Sequence, residues 1–420
     1  MSIEEFQRDG HAPVVPGLFR DRSQDEPAPD GIFLTHAHID HVGLLPLTRE
    51  DIPVYATVGT SKMMLAGKLF ANQIELPEQR FRDIQPGKEV TIGDLKVIPL
   101  AVDHSAFGSV AYLIEGCGQR VLYSGDLRLH GRKPGMAHDL YQAVRTRGPV
   151  DLILMEGTNA EWSNPEPTST LRSNIDETIA ATDEYDLENR LAQRVSEAPG
   201  LVLASFSPQN VDRLVAMIRV AIKTGRLFVV DAYGAFILRL LSSETKLPVP
   251  SPESPVRLCP DLSRGRSIER TLIRRYQDAT VDVATIRSEP GRYIQLFRSS
   301  MLPIMEQLPQ ETLLIHSQWS GYTQQTSFVK VRAALKATGG TVCQAHVSGH
   351  IRREQIAEMV ERINPRTVVP IHTHGPEDVK SLIRTLPATL EAIPKFQVVK
   401  DGIPFELHES DAGETEVHFC

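Results

Sequence analysis

The stretch "IFLTHAHIDHVGLLP", residues 32–46, joins an apolar run to a cluster of metal-binding side chains. The apolar run is typical of a short buried strand, and His36, His38, Asp40 and His41 follow it directly. Alternate side chains of an extended segment share a face, so His36 and His38 can hold one ion together. Asp40 and His41 lie in the following turn and can reach a second ion. Without cations to share, these groups would carry a large desolvation cost, so the cluster predicts a metal site.

Three other predicted strands end in residues of the same kind. His104 lies in "VDHSAFG", Asp126 in "LYSGDLR" and His372 in "VVPIHTHG". Imidazole and carboxylate donors suit Zn2+, with Mn2+ as the alternative if carboxylate and water dominate. A carboxylate such as Asp126 can bridge two metals roughly 3.5–4 Å apart. We therefore expect two divalent metal ions.

Composition restricts the class of protein. The 420 residues, 41% of them hydrophobic, are enough for two or three domains. The net charge of -8 gives no global positive field, so a polyanion would need a local groove or a bound metal. The four cysteines form no CxxC pair, which argues against disulfides and thiolate zinc sites. Such cysteine usage fits a reducing, cytoplasmic location. The polar N-terminus is unlike a signal peptide, and no apolar run is long enough for a membrane span.

Strand and helix patterns alternate along the chain, and many strands end in His, Asp or Glu. This layout is typical of an open α/β sheet with its site at the strand ends. The sequence pattern changes near Trp162, where "NPEPTST" resembles a linker. Beyond it, residues 200–231 predict a separate strand–helix–strand unit. The pattern predicts one α/β domain that is interrupted by a second and resumes near Val342.

The motifs together resemble the β-CASP subfamily of the metallo-β-lactamase fold, and within it the ribonuclease J-like proteins. "LILMEGTN" resembles the subfamily's strand-end acid motif, with Glu156 as the acid. "VSGHIRREQ" resembles its second motif, with His350, and "VVPIHTHG" its third, with His372. The resemblance implies an α/β fold, an αββα sandwich interrupted by a β-CASP domain. The domains would be residues 1–162, 163–341 (the insertion) and 342–420.

The resemblance also assigns metal ligands. His36, His38 and His104 would hold one zinc ion, and Asp126 would bridge it to the second. Asp40, His41 and His372 would hold the second ion. Glu156 would not bind a metal itself but would orient a histidine that does, as carboxylates near metal sites commonly do.

Further residues are expected to contact the substrate. By resemblance Ser348 and His350 would contact the scissile phosphate. "SGH" before an apolar helix is also a capping pattern, and both interpretations can hold because helix N-termini bind phosphate. Ser205, Ser207 and Asn210, in a segment similar to one in ribonuclease J, would cradle a phosphate or simply cap the next helix. Trp319 and Tyr322 would stack a base, line the cleft, or simply pack in the core or in a loop.

The expected activity is hydrolysis of phosphodiester bonds in single-stranded RNA. Two cations would neutralise the repulsion between phosphate and an attacking hydroxide, and would lower the pKa of water towards 7. Asp40, Glu156 and His350 are the expected catalytic residues, with His350 stabilising or protonating the leaving oxygen. In the family a histidine at the position of His372 goes with RNA substrates. The sequence leaves exonuclease and endonuclease action open.

Two departures from the family pattern leave alternatives open. About thirty polar residues precede the histidine motif, so the first strands of the family domain are expected to be missing. The extra C-terminal domain of typical ribonuclease J is also expected to be absent, so the dimerisation associated with that domain cannot be assumed, and the oligomeric state, a homodimer included, stays open. The alternatives are a catalytically silent relative that binds RNA or protein, and a small-molecule metallo-hydrolase acting on a thioester or lactone.

Overall fold

The computed structural model describes residues 3–20, 26–161, 174–305, 307–385, 394–400, 403, 405–409 and 415–419. The described chain divides into two compact units. Unit 1 comprises Met1–Leu129, Lys133–Asn164 and Gly349–Cys420, and unit 2 comprises His130–Arg132 and Pro165–Ser348.

The strands are numbered in chain order. They are β1 (Ile32–Phe33), β2 (Val54–Ala56), β3 (Phe81–Asp83), β4 (Val90–Ile92), β5 (Leu95–Ala101), β6 (Val110–Gly116), β7 (Gln119–Tyr123), β8 (Leu152–Glu156), β9 (Glu177–Ile179), β10 (Val202–Ser205), β11 (Leu227–Val230), β12 (Val256–Leu258), β13 (Tyr293–Phe297), β14 (Leu313–His316), β15 (Thr341–Ala345), β16 (Thr367–Ile371), β17 (Lys395–Phe396), β18 (Phe405–Glu409) and β19 (Thr415–Phe419).

The α-helices follow the same order. They are α1 (Ile3–Arg8), α2 (Ile39–Val42), α3 (Val58–Ala71), α4 (Gly135–Arg147), α5 (Glu184–Ser196), α6 (Val211–Thr224), α7 (Ala232–Leu241), α8 (Ser267–Arg275), α9 (Val283–Ser288), α10 (Leu302–Met305), α11 (Thr326–Ala337), α12 (Arg353–Ile363) and α13 (Pro376–Ile383). Among the helices of the described ranges, none is long and apolar enough to cross a membrane.

Unit 1 contains a seven-stranded and a three-stranded sheet. The seven-stranded sheet has the order β17-β16-β8-β7-β6-β5-β4, parallel from β17 to β7 and antiparallel from β7 to β4. The three-stranded sheet, β1-β2-β3, is parallel. β4 and β5 form an antiparallel hairpin, and so do β6 and β7. The turn between β4 and β5 is centred on Gly93, which has a φ of 54°, a conformation that glycine adopts without strain.

Apolar side chains fill both faces of the seven-stranded sheet. On one face Leu113, Leu122 and Ile153, all fully buried, belong to a core shared with α4, α12 and α13. On the other face Tyr112 packs with Phe33, whose ring stacks on Tyr55 of β2 with centroids 4.5 Å apart. Burying each large apolar side chain stabilises the fold by about 1.5–3 kcal/mol. Helices and two sheets thus form successive layers, and the predicted α/β class is confirmed.

Unit 2 is built on one parallel sheet, with the order β12-β11-β13-β10-β14-β15-β9. The predicted strand–helix–strand unit over residues 200–231 is present as β10, α6 and β11. Asn210 caps α6 by accepting a hydrogen bond from the backbone N–H of Arg213 at 3.0 Å. β15 pairs with β14 and β9, so unit 1 resumes at Gly349, seven residues after the expected position Val342. The predicted domain limits remain predictions, and the limit after Trp162 lies outside the described residues.

The segment before β1 contains little regular structure in its described residues, 3–20 and 26–31. It has the short helix α1 and an isolated bridge between Phe19 and Thr48. Phe19 is 1% exposed and packs with Ile3 and Ala12 in a small core of its own. In these residues no strand precedes β1.

Candidate metal centre

Three neighbouring parallel strands deliver polar side chains to one edge of the seven-stranded sheet. Asp126 follows β7, Glu156 ends β8 and His372 follows β16. Glu156 is in register with Ile371, the residue before His372. Because the carboxyl ends of parallel neighbours meet at one edge, the three side chains converge.

His104 and the histidine motif reach the same edge by other routes. β5 and β6 are antiparallel and pair Ala101 with Val110, so β5 ends where β7 also ends. The backbone N–H of Val110 donates to the carbonyl oxygen of Thr35 at 3.0 Å. This bond fixes the end of the β1 segment beside β6 and brings His36 to the edge.

The first group of converging donors contains His36, His38, His104 and Asp126. Nδ1 of His38 lies 3.1 Å from Nε2 of His104, and Nε2 of His36 lies 3.6 Å from Oδ2 of Asp126. Two nitrogens of a tetrahedral zinc site with bonds of about 2.0–2.1 Å lie roughly 3.3 Å apart. The spacing therefore fits a shared cation.

The second group contains Asp40, His41 and His372. Nε2 of His372 lies 3.3 Å from Oδ2 of Asp40, and Nε2 of His41 lies 3.7 Å from the same oxygen. Nε2 of His41 also lies 3.1 Å from Oδ2 of Asp126. Asp126 thus lies against both groups, as a bridging carboxylate must.

Backbone and hydroxyl partners orient two of the imidazoles. Nδ1 of His104 lies 2.6 Å from the carbonyl oxygen of Gly349, so the Nδ1–H donates there and Nε2 presents its lone pair to the cluster. Nδ1 of His36 lies 3.1 Å from the hydroxyl of Thr35, which leaves Nε2 facing the cluster. The rings are held in the orientation that metal coordination requires.

Unpaired buried atoms test whether a cation fits. Nε2 of His36, Nε2 of His41 and both carboxylate oxygens of Asp126 are buried and have no hydrogen-bond partner. Each unsatisfied buried polar atom costs about 1–3 kcal/mol, and a charged one more. Four such atoms converging on one point would be strongly destabilising unless a cation binds them. The donor set therefore fits divalent metal ions.

The protonation states agree with this interpretation. Burial lowers the pKa of His36, His38 and His104, so these rings are neutral and can donate lone pairs. Hydrogen bonding to His372 holds the pKa of Asp40 well below its usual range. Burial opposes ionisation of Asp126, but contact with His41 outweighs it and lowers the pKa to about 2. The donors thus include neutral imidazoles and ionised carboxylates.

A hydroxyl that the sequence analysis did not single out joins Glu156 to two histidines. Oγ1 of Thr158 donates to Oε2 of Glu156 at 2.9 Å and lies 2.7 Å from Nδ1 of His372. The same hydroxyl lies 3.1 Å from Nδ1 of His350, which is itself 3.2 Å from Oε2 of Glu156. Burial lowers the pKa of His350, but the hydrogen bond and charge of Glu156 outweigh it and raise that pKa.

Glu156 is fixed from both sides. It is fully buried, and its Oε1 accepts the backbone N–H of Leu127 at 2.6 Å.

Asn159, also not foreseen, donates to the carbonyl oxygens of His350 and Ile351 at 3.3 and 3.0 Å. Thr158 and Asn159 lie two and three residues after Glu156 in "MEGTN", and this proximity was the one signal in the sequence that pointed to them.

A buried ion pair braces the loops that carry His104 and Asp126. Nε of Arg128 donates to Oδ1 of Asp103 at 2.9 Å, and both side chains are almost fully buried. The backbone N–H of Arg128 donates to the carbonyl oxygen of Asp103 at 2.8 Å. The pair thus links Asp103, which precedes the predicted ligand His104, to Arg128, which lies two residues after the predicted ligand Asp126.

Two backbone conformations near the site are restrictive. His372 has a φ of 51°, which costs a non-glycine residue about 1–2 kcal/mol. Gly125 has a φ of 55°, and a Cβ there would lie 2.9 Å from Cγ2 of Thr35. The chain turns sharply at both points to aim His372 and Asp126.

The structure brings all seven predicted ligands together within unit 1, with Glu156 and His350 beside them. The other predicted substrate contacts, Ser348, Ser205, Ser207 and Asn210, belong to unit 2. In that unit the carbonyl oxygen of Ser348 lies 3.2 Å from Nε2 of His130. Asn210 acts as the helix cap that the sequence left open as the alternative.

Comparisons with known proteins identify the fold family. The model of the β-lactamase superfamily domain matches residues 11–192. The model of the Zn-dependent metallo-hydrolase RNA specificity domain matches residues 341–384, the segment with His350 and His372. A crystal structure of a protein of unknown function from Enterococcus faecalis V583 is similar at a TM-score of 0.72 and 22% identity, covering 99% of this chain and 89% of that one.

Curated relatives are ribonuclease J proteins. That of Helicobacter pylori (strain B128) is 22% identical over 81% of this chain and 47% of its own length. That of Mycobacterium tuberculosis (strain H37Rv) is 25% identical over 82% and 58%, and that of Pyrococcus abyssi 22% over 81% and 73%. The chain thus spans about half the length of the first of these relatives. From the site and these matches, residues 11–192 contain a β-lactamase superfamily domain and residues 341–384 a Zn-dependent metallo-hydrolase RNA specificity domain, and the chain is similar to ribonuclease J proteins.

Proposed function

We propose that this chain is a metal-dependent ribonuclease that hydrolyses phosphodiester bonds of single-stranded RNA. The observation that carries the proposal is the cluster of buried, unpaired donors around Asp126. The match of residues 341–384 to an RNA specificity domain supports RNA as the substrate class. The named activity of the ribonuclease J relatives supports the same class.

The donor groups suggest how the residues divide. His36, His38 and His104 would hold one ion and Asp40, His41 and His372 the other, with Asp126 between them. We propose zinc, because five imidazoles outnumber two carboxylates in this set. When bound, such ions neutralise the phosphate charge and lower the pKa of a coordinated water towards 7. The buried Asp126 and the bond from His372 to Asp40 keep the donors in place for this chemistry.

His350 would act on the phosphate. The Glu156 carboxylate, 3.2 Å from Nδ1, favours the protonated ring. A protonated imidazole can donate a hydrogen bond to a phosphate oxygen and a proton to the leaving oxygen. Glu156 and Thr158 would position the ring through their contacts with its Nδ1. Ser348, Ser205, Ser207 and Asn210 stay proposed phosphate contacts.

The test is cleavage of RNA labelled at one end. Single-stranded RNA with 5′-monophosphate or 5′-hydroxyl ends is incubated with the protein, with and without a chelator, beside single-stranded DNA and a thioester. We expect chelator-sensitive cleavage of RNA, and the pattern of labelled products separates exonuclease from endonuclease action. Cleavage of the thioester alone would assign a small-molecule hydrolase, and no cleavage would assign a silent relative.

A matched pair of histidine variants makes the test specific. His38→Ala removes a proposed ligand. His374→Ala removes an exposed histidine that belongs to neither of the two donor groups described above. We expect His38→Ala to abolish cleavage and His374→Ala to retain it.

The cytoplasmic location stays a prediction from the sequence, and a homodimer stays open.

A further inference from the structure

Two aromatic side chains stand exposed on unit 2. Trp319 is 66% exposed and Tyr322 44% exposed, and their rings meet edge to face with centroids 5.6 Å apart. Tryptophan is among the more buried residues of folded proteins on average. A ring pair left this accessible, in the part of the chain that the structure describes, indicates a surface available to a partner.

The loop beneath the pair is fixed in place. Trp319 follows β14, whose last residue His316 has its Nε2 3.3 Å from the carbonyl oxygen of Trp319. The amide of Gln344 donates to the carbonyl oxygen of Gln318 at 2.9 Å. A Cβ on Gly321 would lie 2.3 Å from the Trp319 ring, so glycine alone leaves room for the ring there. A rigid ring loses little conformational entropy when a ligand stacks on it.

Polar groups suited to phosphate lie at the same edge of the sheet. Ser205, at the end of β10, is in register with His316 at the end of β14. The side-chain amide of Gln318, next to Trp319, donates to the hydroxyl of Ser205 at 3.2 Å. Ser207 follows two residues later. Aromatic faces beside hydroxyl and amide donors are the chemistry that binds the base and the phosphate of a nucleotide.

The surroundings argue against a protein partner. Residues Gln324, Gln325, Thr326 and Ser327 next to the pair are exposed and polar. A protein-docking surface of the hot-spot type has aromatic anchors within a contiguous apolar patch. Isolated rings among polar side chains fit a base, whose faces are apolar and whose edges are polar. Bases paired in a duplex hide these faces, so the ligand must be single-stranded.

We infer that Trp319 and Tyr322 form a stacking platform for unpaired bases of single-stranded RNA. The inference rests on the proposed function for the identity of the ligand, and it adds a binding site in unit 2. Stacking of this kind tolerates different bases because every base has a π-face. The platform therefore contributes to affinity for the strand and little to sequence preference.

Tryptophan fluorescence tests the platform directly. The chain has two tryptophans, so Trp162→Phe leaves Trp319 as the sole fluorophore of that kind. This protein is titrated with a phosphorothioate single-stranded oligouridylate, which resists cleavage, and with an abasic strand of equal length and charge. We expect saturable quenching by the oligouridylate and none by the abasic strand. Equal quenching by both would overturn the inference, because charge alone would then explain binding.

Variants in the same unit supply the controls. Trp319→Ala should weaken binding of the oligouridylate by roughly 5- to 150-fold, as loss of base stacking does. Trp319→Phe keeps a ring and should retain most of the affinity. Ile222→Ala, at another exposed apolar residue of unit 2 (60% exposed), should bind like the parent. Unchanged binding by Trp319→Ala would overturn the inference, whereas absence of RNA cleavage by the parent protein would overturn the proposed function.

Self-association is read in the same samples. If the pair instead contacts a second copy of the chain, size-exclusion chromatography without RNA would show an oligomer that Trp319→Ala dissociates. That result would overturn the inference. We expect the elution volume to be the same for the parent and the variant.

Discussion

Oδ2 of Asp126 lies 3.1 Å from Nε2 of His41, yet neither atom has a hydrogen-bond partner. The two atoms are close because both face a common point, and the approach lacks the geometry of a hydrogen bond. A buried carboxylate without a hydrogen-bond partner, beside a partly buried imidazole, is costly. A shared divalent cation satisfies both atoms, which makes this pair the centre of the proposed site.

Thr158 is predicted to position His350 and His372. Thr158→Val keeps the shape but removes the hydroxyl that joins Glu156, His350 and His372. Loss of a group that hydrogen-bonds to a metal ligand typically costs about 10–100-fold in activity or metal affinity. We expect RNA cleavage to fall in this range with unchanged far-UV circular dichroism. Thr158→Ser restores the hydroxyl and should recover most of the activity, and failure of this rescue would argue against a role for the hydroxyl.

Gly349 is predicted to be intolerant of a methyl group. A Cβ there would lie 2.7 Å from Oγ of Ser105 and 3.2 Å from Cε1 of His104, whose Nδ1 donates to the Gly349 carbonyl. Gly349→Ala should displace the His104 ring and weaken metal binding in a zinc-competition titration. Gly135→Ala is the control, because nothing lies within 4 Å of its Cβ position. Equal metal affinity in the two variants would contradict the proposed role of His104.

The Asp103–Arg128 pair is predicted to stabilise unit 1. Asp103→Ala leaves the buried guanidinium of Arg128 without its carboxylate. Removal of one partner of a buried ion pair costs about 3–5 kcal/mol. We expect a markedly lower urea midpoint, measured by circular dichroism. Lys96→Ala breaks a solvent-exposed pair with Glu89 and should change the midpoint little. Similar urea midpoints for the two variants would show that the buried pair does not stabilise unit 1.

His316 is predicted to make unit 2 sensitive to acid. The ring is 1% exposed, and burial lowers its pKa from 6.5 to about 4. Between these values the unfolded chain binds the proton more readily than the folded chain, so the free energy of unfolding falls as pH falls. The contribution lost between pH 7 and pH 5 is about 2 kcal/mol.

The variant His316→Gln isolates this contribution. Glutamine keeps an amide that can donate to the Trp319 carbonyl but does not titrate. Urea unfolding of both proteins at pH 7 and pH 5 should show a smaller loss of stability for the variant. The same loss in both proteins would show that other groups cause the acid sensitivity.

The convergence of the proposed metal ligands was predictable because much of its signal is local. His36, His38, Asp40 and His41 lie within six positions after a strand, and Asp126 follows a strand of the same sheet as His372. Parallel strands then bring the separate ends together by topology alone. The α/β class followed from the same alternation of strand and helix patterns.

The contacts around the ligands were not predictable because they depend on packing between distant segments. The hydroxyl of Thr158 meets His350 and His372, which are 192 and 214 residues away in sequence. Arg128 and Asp103 resemble ordinary surface charges in the sequence, and only the folded chain buries them together. β15 was expected in the returning domain, yet it pairs with strands of unit 2, since strand patterns do not specify partners.

The metal content of the purified protein decides whether the side chains around Asp126 hold a pair of ions. The protein is stripped with a chelator, reloaded with Zn2+, freed of excess ion and analysed by inductively coupled plasma mass spectrometry, beside Asp126→Asn and His374→Ala. We expect two ions per chain in the parent protein and in His374→Ala, and a clear loss of bound zinc in Asp126→Asn. A parent protein that retains no zinc, or an Asp126→Asn variant that binds as much as the parent, would contradict this expectation.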